Sequence, residues 1–139
     1  MTDYDYCLNL ELRKANRVLT QLYDGHLNRC GLKTSQFSVL RAIHYLRKTT
    51  NSELQEVLVL DQTSLSRAIK PLLRDGFVHV QLGVDKRQKV LFLSPSGLAL
   101  YQEAKALWKV AQNEAKERLG AEVREKLLEV CEAVVALRK

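Results

Sequence analysis

The sequence predicts a mainly α-helical (α+β) fold carrying one β-hairpin, and three observations lead there. Apolar residues recur at alternating steps of four and three at both ends of the chain. Helix caps and stops punctuate its middle, and one stretch changes to β-branched and aromatic runs around a polar turn. At 139 residues, 46 % hydrophobic and 27 % charged, with 6 glycines and 2 prolines, the composition is that of a folded domain rather than a disordered or collagen-like chain. No apolar run approaches the roughly 20 residues of a membrane span, and the opening Met-Thr-Asp-Tyr-Asp-Tyr is acidic where a secretory leader is basic. A cytoplasmic protein is expected.

The first element is a helix between Cys7 and Asn28, with Leu8, Leu12, Ala15, Leu19 and Leu22 forming one stripe. Thr34 is the expected cap of a second helix running through Phe37, Leu40, Ile43 and Leu46. Thr50 with Glu53 matches a capping box, in which hydroxyl and carboxylate each satisfy the other's end of the turn, and opens a short helix from Asn51 to Leu58. Asp61 caps the next helix, whose buried stripe is Leu65, Ile69 and Leu72 and whose stop is Gly76. Pro71 inside it removes one backbone hydrogen bond and is expected to bend it.

Strand-like runs at 77–82 and 90–93 flank the polar tip 83–89. Ser94-Pro95 then restarts helix, with serine as cap and proline at the first helical position, where its missing N–H is harmless. That helix runs to Leu119 and breaks at Gly120. A last helix carries Val123, Leu127, Val130, Val134 and Leu137, again at steps of four and three. The two terminal seams can pack on each other within one chain or against symmetry mates in a dimer; the dimer is favoured, because the middle supplies a small core of its own.

Charge has an address. The formal net charge is +6, and residues 62–90 hold six bases (Arg67, Lys70, Arg74, Lys86, Arg87, Lys89) against two acids (Asp75, Asp85). Two short helices joined by Val59-Leu60 and followed by a basic hairpin are the layout of a winged helix-turn-helix, whose second helix enters a DNA major groove. With Leu65, Ile69 and Leu72 inward, that helix presents Gln62, Thr63, Ser64, Ser66, Arg67 and Lys70. These are hydroxyls for phosphates and base edges, an amide for adenine, and two cations. The hairpin adds Lys86, Arg87 and Lys89 on a tip narrow enough for a minor groove. Asp85 beside them is expected to orient a guanidinium, that of Arg87 or Arg67, rather than to face phosphate.

These residues carry a family resemblance. Leu32-x3-Gln36-Phe37-x-Val39-Leu40, Glu53-Leu54, Thr63-x-Leu65-Ser66-Arg67-x2-Lys70-x-Leu72-x2-Asp75-Gly76-Phe77-Val78, Asp85-Lys86-Arg87 and Leu93-Ser94-Pro95-x-Gly97 together resemble the MarR family of bacterial transcription regulators. The resemblance implies a homodimeric repressor on a palindromic operator in double-stranded DNA, with 1–31 and 96–139 as dimerisation helices around a winged region at 32–95, in one intertwined domain. It implies a recognition helix from Gln62 to Arg74, Arg87 as the minor-groove arginine and Asp85 as its partner. Many relatives have bases on the strand entering the wing, where this chain has His79-Val80-Gln81, so a shallower salt dependence or a narrower operator preference is expected.

The resemblance also implies release from DNA by a small aromatic acid in the cleft between dimer helices and winged region, or by thiol oxidation. Arg13, Arg17, Tyr23, His26 and Trp108 are candidate cleft lining, although Trp108 equally suits packing. Among three cysteines, Cys7 lies early in the first helix beside Tyr4 and Tyr6, similar to the reactive cysteine of peroxide-sensing members. A gap-free count from Tyr23 and Gln36 puts it about two positions early, a turn of about 200°. Cys30 is a second candidate redox sensor, and Cys131 lies in the C-terminal seam. His26 and Cys30 offer only two metal ligands at a four-residue spacing, so no metal or cofactor is expected. No catalytic triad order, glycine-rich phosphate loop or zinc-protease motif is present, which argues against an enzyme. The alternative is a winged-helix adaptor that binds protein rather than DNA.

Overall fold

A computed structural model describes residues 5–85 and 87–138 of the chain. The elements are α1 (Leu8–Leu27), a single 3-10 turn (Asn28–Cys30), α2 (Thr34–Leu46), α3 (Asn51–Leu58) and α4 (Gln62–Arg74). They continue with β1 (Val78–Leu82), β2 (Lys89–Leu93), α5 (Pro95–Leu119) and α6 (Ala121–Val135). This is the mainly helical winged fold and element order that the periodicity predicts. None of the helices is long and apolar enough to cross a membrane, among the described residues.

The core gathers where α2 meets α3, α4, the hairpin and the first half of α5. Leu27, Phe37, Val39, Leu40, Ile43, Leu54, Leu65, Leu72, Val78, Leu91 and Tyr101 are all buried there. Phe37 stacks on Tyr101 and on Trp108, each with ring centroids 5.9 Å apart, and His44 stacks on Tyr101 at 4.4 Å. Such offset ring pairs lock α5 against α2 by shape as well as by area.

The helix punctuation holds with two corrections. Thr34 is the first residue of α2, not its cap: its N–H and hydroxyl both donate to Asp24 Oδ1, at 2.7 and 2.6 Å, so a carboxylate of α1 closes the start of α2. At α3, Thr50 Oγ1 accepts from Glu53 N–H at 3.2 Å, but the Glu53 carboxylate takes the hydroxyl of Thr49. Only the hydroxyl half of the expected box is present.

Helix α4 runs through Pro71 to Arg74 and closes with the two reverse bonds of a Schellman ending, Phe77 N–H to Leu72 O at 2.9 Å and Gly76 N–H to Leu73 O at 3.2 Å. The hairpin pairs Val78 with Leu93 through to Leu82 with Lys89. Phe77 stays outside β1, its carbonyl accepting from Ser94 N–H at 3.0 Å, while Lys89 joins β2.

A bridge extends this sheet in a way the sequence does not announce. Thr49 exchanges both backbone bonds with Leu91, at 3.0 and 2.7 Å. To reach it the chain reverses at Arg47 (φ 71, ψ −67), where Lys48 N–H bonds to Leu46 O at 2.9 Å. That geometry is the strained, positive-φ form of the γ-turn.

Two glycines are structural. A Cβ on Gly97 would lie 1.9 Å from the Phe77 carbonyl oxygen, so only glycine lets α5 start this close to the end of α4. Gly120 joins α5 to α6 at φ 83, ψ 162, a region open essentially to glycine alone.

Candidate nucleic-acid interface

Helix α4 is set at its N-terminus by Asp61, whose Oδ1 accepts from Ser64 N–H at 2.7 Å. The hydrogen bonds from Ser64 hold the Asp61 carboxyl below the usual carboxylate range, and the charge of Arg67 adds to the effect. Leu65, Ala68, Ile69 and Leu72 turn inward and are buried. Gln62, Thr63, Ser64, Ser66, Arg67 and Lys70 are all exposed on the opposite side. Neither Arg67 nor Lys70 enters an ion pair among the described residues, so both charges remain available for a polyanion. Arg74 differs: its guanidinium lies on Asp75, with Nε to Oδ1 at 3.1 Å.

The wing is anchored by Ser94, which is buried. Its hydroxyl donates to the Gly76 carbonyl at 2.6 Å and accepts from Gly97 N–H at 3.0 Å, tying the end of α4 to the start of α5. At the tip, Gly83 N–H bonds to Gln88 O at 2.7 Å and Gln88 N–H to Asp85 O at 2.8 Å. The Asp85 carboxylate accepts from the backbone N–H of Arg87 at 3.1 Å. Asp85 thus shapes the turn through Arg87's backbone, where the sequence suggested a guanidinium partner, and it pairs with neither Arg87 nor Arg67 among the described residues.

The side chains of Arg87 and Lys89 are exposed, and Lys86 lies outside the described residues. Val80, Leu82 and Val84 are also exposed on this hairpin, a set the charge pattern does not single out.

The candidate sensor residues fall in several places. Cys7 is exposed at the N-cap of α1; Tyr6 beside it is exposed, and Tyr4 lies outside the described residues. Cys30 is half-buried, its thiol donating to Leu27 O at 3.2 Å, and burial pushes that thiol up. Cys131 is exposed on α6. His26 Nε2 lies 3.3 Å from Glu114 Oε2, and no cluster of three potential metal ligands forms among the described residues.

A groove of about 190 Å³ opens between α1, α2 and α5, with Asn16, Thr20, Tyr23, Ser38, Arg41 and Trp108 among its lining. Tyr23 also donates to Gln112 of α5, and burial raises its phenol. Arg41 lies over the Trp108 ring, 5.0 Å from its centroid, and is the cation of this groove. Arg13 and Arg17 are exposed on α1, outside this lining, and His26 is held at Glu114 instead. Arg41 sits among the core residues of α2 in sequence, where periodicity alone does not distinguish lining from solvent.

Comparison with known proteins agrees with this architecture. A profile of the MarR family matches residues 32–89. The chain is 28 % identical over 93 residues to the uncharacterised HTH-type transcriptional regulator YwoH of Bacillus subtilis, covering 67 % of this chain and 68 % of that one. It is similar to the transcriptional regulator MosR of M. tuberculosis in complex with DNA. That match has 34 % identity, spans 96 % of this chain and 100 % of that one, and gives a TM-score of 0.82. A cysteine-to-serine mutant of MarR from E. coli, complexed with operator DNA, matches at 25 % identity over 91 % and 92 % of the two chains, with a TM-score of 0.82. With a shared profile across the winged region and a full-length structural relative above 30 % identity, the chain belongs to the MarR family of winged helix-turn-helix transcription regulators.

Proposed function

We propose that the protein is a homodimeric repressor that reads a palindromic operator in double-stranded DNA and acts in the cytoplasm. The observation that carries this reading is the exposed face of α4. It offers an amide, three hydroxyls and two cations without an ion-pairing acid, followed by a wing that presents Arg87. The DNA complexes of MosR and MarR support the same use of the fold here. Residues 1–31 and 96–139 form the dimerisation helices around the reading unit at 32–95.

In this reading α4 lies in the major groove, Ser64 and Arg67 meet base edges and nearby phosphates, and Arg87 enters the minor groove. Fluorescence anisotropy on duplex DNA from upstream of the protein's own gene, against a scrambled duplex and across salt, tests it. Selective, salt-sensitive binding is expected, and equal weak binding to both duplexes counts against it. Charge reversal at Arg67 and Arg87 separates the DNA reader from the adaptor, whose affinity for a protein partner survives the change.

The release signal fits the groove between α1, α2 and α5. A small aromatic acid placed there would set its ring against Trp108 and Tyr23 and its carboxylate toward Arg41, with Ser38 and Thr20 as further donors. Because α1 and α5 belong to the proposed dimer arm and α2 to the reading unit, filling the groove shifts one against the other. Benzoate is the probe: it is expected to release the wild type from DNA and not Arg41→Ala. A second reading, release by thiol oxidation, is favoured by the exposure of Cys7. Cys7→Ser would then abolish peroxide-driven release that dithiothreitol reverses.

A further inference from the structure

The last turn of α3 is closed by the far end of the chain. In that turn the N–H groups of Val59 and Leu60 both bond to Gln55 O, so no backbone donor among the described residues serves the Glu56 carbonyl. Arg138, 82 residues away, takes it: Nη1 donates to Glu56 O at 3.0 Å, and Nη2 lies 3.3 Å from Glu56 Oε1. A cation donating to an orphan carbonyl at a helix C-terminus satisfies the group and complements the negative end of the helix dipole. The carboxylate contact adds little, because the Glu56 side chain is 76 % exposed.

The location gives the contact its consequence. Helix α6 buries none of its own residues within the chain and is joined to α5 through the Gly120 bend, and among the described residues the Arg138 contact ties its far end to α3. Glu56 lies five residues before Asp61, the cap of α4, on the helix that packs beneath the reading helix. One guanidinium therefore joins the proposed dimer arm to the base of the reading unit.

We propose that Arg138 is a positioning residue that clasps α6 to α3 and so sets the separation of the two reading helices in the dimer. The inference deepens the DNA-reading dimer above and rests on it. A palindrome-reading dimer selects half-sites by spacing only as sharply as its two heads are held apart. Loosening the clasp broadens the accepted spacing while leaving the contacts within each half-site intact.

The test uses the palindrome that the wild type selects from a randomised duplex library, rebuilt with the half-sites one and two base pairs closer or farther apart. Arg138→Ala is expected to stay dimeric by light scattering and to bind the preferred spacing about two- to fivefold more weakly. It is also expected to lose most of the wild type's discrimination against the altered spacings. Hydrogen exchange of the α3 C-terminal amides rises in the same variant without DNA. Arg138→Lys, which keeps a donor and the charge, restores part of the discrimination, and Glu56→Gln, which keeps the carbonyl, retains most of it. A wild type selective for spacing with an identical profile in Arg138→Ala overturns the clasp alone. A wild type that selects no palindrome overturns the DNA-reading dimer and the clasp with it.

Discussion

Ser94 satisfies two backbone groups from different elements with one hydroxyl, the Gly76 carbonyl and the Gly97 N–H. Ser94→Ala leaves the buried Gly97 N–H and the half-buried Gly76 carbonyl without that partner and is expected to destabilise the fold by about 1–3 kcal/mol, read as a lowered Tm. Val59 presents the opposite case. A β-branched residue at φ 54, ψ 50 sits in the left-handed region, which costs roughly 1–2 kcal/mol for an L side chain. Val59→Gly removes that strain at the expense of a freer unfolded chain, for a net gain of about 0.5–1 kcal/mol and a Tm higher by about 2 °C. An unchanged or lower Tm would show that the side chain contributes packing that outweighs the strain.

Cys30 supplies a pH dependence. Burial raises its thiol and the Glu103 carboxylate works in the same direction, so the thiolate is scarce at neutral pH. The neutral form is the one the fold favours; the associated stability is present below the unfolded thiol's pKa and is lost as pH rises through the folded value. Alkylation of Cys30 by iodoacetamide should therefore accelerate only above the ordinary thiol range. Fast labelling at pH 7 would contradict that.

At the scale of elements, the proposed reading divides the work of recognition between α4 and the wing by the groups they present. In the proposed binding mode Arg87 would meet the backbone and minor groove, so Arg87→Ala is expected to lower affinity for specific and random duplexes alike and to flatten the salt dependence. Ser64 and Arg67 are the proposed base-edge contacts, so the losses in Ser64→Ala and Arg67→Ala, about 1–3 kcal/mol where a base contact is removed, should concentrate on the specific site. Anisotropy titrations on both duplexes check the division, and equal losses for all three variants on both would refute it.

The elements most legible in the sequence are those whose ends are written locally. Asp61 and Ser94 accept from the third residue on, and Gly76 at φ 78 ends α4 as its position announces. Elements that depend on distant partners leave no such mark. Asp24 closes α2 from ten residues away, the Thr49–Leu91 bridge is a lone pair with no period, and Arg138 reaches α3 across the chain. The same limit applies to the candidate site. The exposed face of α4 follows from a helical stripe, whereas Arg41's place over Trp108 depends on how α5 crosses α2.

At the scale of the molecule, the terminal seams pose the remaining question of assembly. Leu8, Leu12, Val123, Val130, Val134 and Leu137 all remain exposed in the single chain, and α6 buries nothing of its own. Two aligned apolar stripes left in water are unfavourable at about 25 cal/mol for each Å² that a partner could cover. A second copy would cover them by symmetry, since each contact of a twofold interface is made twice. The protein is therefore expected to be a dimer at micromolar concentration by light scattering. Leu12→Glu and Val130→Glu should each shift it toward monomer, because one substitution places two charges in a twofold interface. Both should also weaken binding to a palindrome far more than to a single half-site, because the second reading head is lost while the first is untouched. Val57→Glu is the control: Val57 is equally apolar and exposed, on α3 and outside both seams, and should leave the assembly unchanged. If the wild type scatters as a monomer, or if Val57→Glu disrupts the assembly as strongly as the seam variants, the terminal helices are not what joins the copies.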